Sequence, residues 1–176
     1  MIEIDDAGGG CFLGPEVLVI HRLETNEAWY FLLIPPHVKE RILFATRILK
    51  KAFIELGISC QEPVRLCRGE IFDLFEEYLK AKGYPVVREK VSAATDRLAE
   101  GKFLEILHSY GLPSDITLRD RNYREFYEWV SLWYHSLPKA KKHLCKVRLR
   151  PPVRTQVLAK KYPNLLRQIF TETSVS

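Results

Sequence analysis

Two adjacent carboxylates, Asp5 and Asp6, close a short apolar stretch near the start of the sequence and run into Ala7-Gly8-Gly9-Gly10. Hard divalent cations such as Mg²⁺ or Mn²⁺ take carboxylate oxygens, and glycine lets a backbone or a phosphate come close. The same residue types build ordinary β-turns, so this stretch alone is compatible with a metal site and with a turn. A second chemically suggestive group lies far along the chain. Lys139, Lys141, Lys142, Lys146, Arg148 and Arg150 stand close together, and no Asp or Glu falls between Lys139 and Arg154. Such a basic run suits a polyanion, with these side chains on phosphates; a solvated surface uses the same residues.

The remaining composition narrows the classes. The chain has 176 residues, 47% of them hydrophobic, with 27 basic against 22 acidic side chains. That suffices for one domain with a real core, or one domain with an appendage. No apolar run approaches the ~20 residues of a membrane span. Acidic residues stand where a secretion signal carries basic ones, so a cytoplasmic location and no membrane partner are expected. Cys11, Cys60, Cys67 and Cys145 form no C-x-x-C pair and are expected to be small buried hydrophobes. The five histidines do not cluster, and no P-loop, GxSxG or HExxH motif is present. The triple glycine precedes a strand rather than a helix, which excludes a dinucleotide fingerprint.

The elements that must position these groups follow from periodicity. Ile2–Asp6, Glu16–Leu23 and Ala28–Ile34 read as strands, the last two joined by a hairpin turn at Glu24-Thr25-Asn26-Glu27. From His37 to Leu56 the apolar residues recur at three and four, an amphipathic helix stopped by Gly57. Pro63–Cys67 is a fourth strand, Glu70 to Lys82 a second helix, and Pro85–Val91 a fifth strand. Ser92 caps a third helix running to about Tyr110. Beyond Pro113, Tyr123, Phe126, Tyr127, Trp129, Trp133 and Tyr134 recur at roughly helical spacing. They are expected to pack onto the main domain, with base stacking as the alternative. A last helix is expected from Thr155 to Phe170. The resulting fold class is α/β: a five-stranded mixed sheet, three antiparallel strands followed by βαβα, with helices on both faces. The predicted division is a domain over 1–113 and a helical, basic C-terminal extension over 114–176 packed on it.

This element order over residues 1–113 resembles ribonuclease H-like domains. Ile4-Asp5-Asp6-Ala7-Gly8-Gly9 followed by Gly14-Pro15 looks similar to their first strand and glycine-bearing loop. Asp6 matches the ribonuclease H pattern, and Asp5 the pattern of the Holliday-junction resolvases; both remain open. The resemblance implies an acidic site binding two divalent ions, Mg²⁺ or Mn²⁺. It implies as further ligands Glu70, just past the fourth strand, and Asp96, early in the third helix, with Glu100 one turn later. Glu40 matches the place of the family's second carboxylate, early in the first helix. Arg68 and Gly69 depart from the pattern, because a cation and a glycine stand where the fourth-strand acid is expected.

Two bound ions clamp the attacking and leaving oxygens of a phosphodiester, and carboxylates on neighbouring elements are needed to hold them. The expectation is therefore a metal-dependent nuclease acting on structured or hybrid nucleic acid. Asp5, Asp6, Glu70 and Asp96 would be catalytic, with Glu100 as an added ligand. The alternative is a catalytically silent ribonuclease H-like module that binds nucleic acid or a protein partner. An actin-like nucleotide-binding enzyme is disfavoured, because one such domain lacks the second lobe that encloses a nucleotide.

Overall fold

The structure is a computed structural model that describes residues 1–25, 28–114, 116–117, 123–136, 143–149, 160–161 and 163. Lys139, Lys141, Lys142 and Arg150, and most of the helix expected over 155–170, lie outside the described residues.

Among the described residues, a mixed sheet of five strands forms the centre, in the order β3-β2-β1-β4-β5. β1 (Ile2–Ala7), β2 (Glu16–Arg22) and β3 (Ala28–Ile34) make an antiparallel meander, with Ile4 opposite Ile20 and Leu18 opposite Leu32. β4 (Val64–Leu66) and β5 (Val86–Arg88) add in parallel on the other side of β1, with Ile4 beside Leu66. The parallel strands follow helices, as crossover connections require. Helices α1 (Arg41–Glu55), α2 (Asp73–Ala81), α3 (Ala93–Ser109) and α4 (Tyr123–Ser136) complete the described architecture. The fold class is the α/β one expected from the element order: three antiparallel strands followed by βαβα in one mixed sheet, with helices on both faces.

Strand pleating sorts the core into two halves, because successive side chains point to opposite faces. Ile2 and Ile4 pack with Leu49, Phe53, Phe72, Phe75 and Leu79 under α1 and α2. Ala7, Val17 and Val19 pack with Ala99, Phe103 and Leu107 of α3, and Phe126, Val130 and Trp133 of α4 join this second half. The aromatic helix thus buries its stripe in the same core as the sheet.

Two helix starts differ from the periodicity reading. α1 begins at Arg41 rather than His37, because Pro35-Pro36 leads into a turn in which Val38 N donates to Pro35 O at 3.1 Å. The segment opening at Glu70 is first a 3-10 turn, Glu70–Phe72, and becomes α-helical at Asp73. Ser92 caps α3, its hydroxyl accepting from Thr95 N at 3.3 Å.

Candidate metal and phosphate site

The site forms where β4 ends and β1 runs on beyond it. Because β4 runs parallel to β1, Cys67 N donates to Ile4 O at 2.9 Å, and Asp5 within β1 and Cys67 just past β4 are neighbours. Cys67 Sγ lies 3.3 Å from Asp6 Oδ1. Donor atoms of Asp5, Asp6 and Cys67 all fall within 4.8 Å of one another, the one such group among the described residues. Alternation along β1 gives the two aspartates different surroundings. Burial raises the Asp5 carboxyl above its usual range; a hydrogen bond from Cys67 opposes this, and the charges of Asp96 and Glu100 add to it. Asp6 is raised by burial and by Asp5, while Arg41 and Arg148 pull it back. Burial, with the two aspartates beside it, pushes the Cys67 thiol strongly up.

Asp6, Asp96 and Glu100 line one cleft of about 170 Å³, together with Gly8, Gly9, Gly10, Phe103 and Tyr127. α3 supplies Asp96 and Glu100 on one face at a spacing of one turn. Glycine is required along the cleft floor. Gly8 has φ +78°, and a Cβ there would lie 2.4 Å from the Phe103 ring. A Cβ at Gly69 would lie 2.9 Å from Asp6 Oδ1, so that glycine keeps space open at the carboxylate.

A cationic half adjoins this acidic one. Glu16 is 1% exposed at the head of β2 and sits between two guanidiniums. Arg41 Nη1 donates to its Oε1 at 2.6 Å, and Arg148 Nη2 lies 3.3 Å from its Oε2. Arg148 Nη2 also donates to Gly9 O. Burial raises the Glu16 carboxyl and Asp6 adds to this, whereas Arg41, Arg148 and Lys146 oppose it.

Arg148 reaches Gly9 and Glu16 because residues 143–149 are strapped along the glycine loop. Gly14 N donates to Leu144 O at 3.0 Å, Lys146 N donates to Phe12 O at 2.8 Å, and Leu13 bridges Cys145. Lys146 is placed otherwise than a surface phosphate contact would be. It is 4% exposed, and its ammonium donates to Cys11 O at 2.8 Å and Leu13 O at 3.2 Å. Burial lowers its pKa to about 8.

Of the acids expected in the site, Asp5, Asp6, Asp96 and Glu100 come together. Glu70 stays outside the cleft: it opens the turn on the α1 side of the sheet, is exposed, and pairs with Arg41. Glu40 precedes α1 and borders a shallow groove with Val38, Leu43 and Arg47. The residue one step on, Arg41, is the one that turns inward. Sequence reasoning missed Glu16, Arg41 and Cys67. Only Glu16 left a signal, as a charge heading the buried apolar run Val17-Leu18-Val19-Ile20.

The donor set and the room kept by Gly69 fit a divalent cation at Asp5 and Asp6. Sheet topology and an acidic cleft at the β1 end define an α/β domain built on a five-stranded mixed sheet. Among solved structures, the chain is similar to the ribonuclease H2 from Pyrococcus horikoshii OT3, at 14% identity and a TM-score of 0.47, over 93% of this chain and 100% of that one. No family model matches the chain, and the search of curated proteins found no match.

Proposed function

We propose that the protein is a metal-dependent nuclease of the ribonuclease H-like type, acting on structured or hybrid nucleic acid. The observation that carries this reading is the convergence of Asp6, Asp96 and Glu100 on one cleft, with Asp5 behind them. Asp5 and Asp6 would hold a divalent ion, Mg²⁺ or Mn²⁺, and Asp96 and Glu100 would complete the ligand set across the cleft. Such an ion, when bound, polarises a phosphodiester and supplies an activated water. The chain's own contribution is position. β1 and α3 fix the carboxylates, Gly8 and Gly69 keep the approach open, and Arg41 and Arg148 set positive charge beside the acids for the phosphate backbone. Glu70 serves by holding Arg41 from its solvent side. Lys139, Lys141, Lys142 and Arg150 would extend the phosphate track.

A catalytically silent binding module is the second reading. A specific observation favours it: the place at the end of β4 carries a thiol, and two arginines neutralise Glu16 beside Asp6. One experiment separates the two. End-labelled RNA–DNA hybrid, four-way DNA junction and single strands are incubated with wild type, Asp6→Asn and Arg148→Ala, with and without Mg²⁺ or Mn²⁺. Metal-dependent cleavage lost in Asp6→Asn, with binding kept, is the expected result. Binding without cleavage selects the silent module, and no binding at low salt defeats both nucleic-acid readings and leaves a module for a protein partner.

A further inference from the structure

We propose that Cys67 is the third ligand of the metal site, and that the site therefore takes a borderline, thiol-binding divalent cation such as Zn²⁺ or Co²⁺ in preference to Mg²⁺. The inference rests on the reading of Asp5 and Asp6 as metal ligands and alters which metal they serve.

The placement follows from the sheet. Parallel pairing of β1 with β4 sets Ile4 beside Leu66, so the residues that follow them, Asp5 within β1 and Cys67 just past β4, stand side by side. Its sulfur already touches the carboxylate of Asp6 at 3.3 Å. Zinc–sulfur bonds are about 2.3 Å and zinc–oxygen bonds about 2.0–2.2 Å, so tetrahedral donors lie roughly 3.5 Å apart. Three donors within 4.8 Å of one another close on a single ion with small side-chain rotations. Residue 69 is glycine, and a Cβ there would crowd Asp6 Oδ1 at 2.9 Å and stand 3.6 Å from Cys67 Sγ, so its absence leaves room beside both donors.

No carboxylate displaces the thiol. Glu70, the nearest acid in sequence to the β4 end, is engaged by Arg41 on the solvent side. The chemistry then discriminates. Mg²⁺ demands oxygen ligands in a near-ideal octahedron, whereas a thiolate beside the two aspartates, with the remaining position facing Asp96 and Glu100 across the cleft, suits Zn²⁺ or Co²⁺. On coordination the thiol proton leaves to solvent, so one sulfur–metal bond forms as one S–H bond breaks. Two of the three other thiols are internal controls. Cys11 is buried among apolar side chains, and Cys60 is exposed.

The test is metal binding to the full chain, read without any substrate. Co²⁺ should give a near-ultraviolet thiolate-to-cobalt charge-transfer band in wild type, retained in Cys11→Ser and Cys60→Ser and absent in Cys67→Ser. By calorimetry, Cys67→Ser should weaken Zn²⁺ binding by about tenfold or more while leaving Mn²⁺ within about threefold. Cys67→Asp, which restores an all-oxygen set, should reverse the preference toward Mg²⁺ and serves equally if Cys67→Ser fails to fold. An absent cobalt band, with Mn²⁺ binding still lost in Asp6→Asn, overturns the role of Cys67 and leaves the carboxylate metal site standing. Wild type that binds none of these cations overturns both.

Discussion

The Thr95 hydroxyl donates to Glu3 Oε2 at 2.5 Å, joining residues 92 positions apart in sequence. Glu3 is fully buried on β1, and its carboxylate also accepts from Ser92 N, from Ser92 Oγ at 2.6 Å and from Arg65 Nη1 at 2.7 Å. One strand carboxylate thereby fixes the first turn of α3, and with it Asp96 one residue further on. Burial alone would raise the Glu3 carboxyl, but the hydrogen bonds from Ser92, Thr95 and Arg65 outweigh it and hold the pKa below its usual value.

Glu3→Ala should cost about 3–5 kcal/mol in urea unfolding, because it strips a buried hydrogen-bonded network of its anion. A folded pKa below the unfolded one stabilises above the unfolded value near 4.5 and is lost as pH falls through the folded value. Wild type should therefore lose stability more steeply than Glu3→Gln on acidification below pH 4.5.

Asp5 and Asp6 have the opposite sign. Their folded values are raised, so their contribution favours folding below the unfolded value of 3.8 and turns against it as pH rises through the raised values. Asp5→Asn with Asp6→Asn should leave the melting temperature at pH 7 unchanged or higher. It should also abolish stabilisation by divalent cations in a thermal-shift titration. A large fall in melting temperature would instead mark the pair as turn formers.

Lys146 offers a pH readout of the strap. Its folded pKa near 8 lies below the ordinary 10.5, so between these values the unfolded chain holds more protons. Stability from this residue therefore rises with pH across that window. The unfolding free energy of wild type relative to Lys146→Met should shift in favour of wild type by on the order of 3 kcal/mol across it, at about 1.4 kcal/mol per pKa unit. A pH-independent difference would mean the ammonium is solvated.

Arg148 and Lys146, two residues apart, should differ in nucleic-acid binding. Arg148→Ala should weaken binding and flatten the slope of log affinity against log salt by about one unit, as one lost phosphate contact does. Lys146→Met, whose ammonium is spent on carbonyls, should leave that slope unchanged. Equal effects would show that the basic run acts as diffuse charge.

Gly8→Ala should destabilise by more than about 1 kcal/mol, since φ is +78° and the added carbon would meet the Phe103 ring. An unchanged melting temperature would show that the loop packs loosely on α3.

Local chemistry by itself determined the elements and their class. Alternation of apolar residues set the strands, three-and-four spacing set α1 and α3, and Ser92 marked a cap, because these signals depend on neighbours in the chain. It also marked Asp5 and Asp6 as a chemically loaded strand end. Tertiary structure decided which distant side chains share that end. Cys67 meets Asp6 only because β4 pairs in parallel with β1 at Ile4 and Leu66, a register fixed by strand pairing and by the core beneath it. Arg41 and Arg148 meet on Glu16 because α1 and the 143–149 strap converge on the head of β2, and no spacing in the sequence encodes that convergence. Glu70 and Lys146 looked available as an acid and a cation. The fold assigned one to Arg41 and the other to buried carbonyls, because ion pairing and burial depend on what lies across space rather than along the chain.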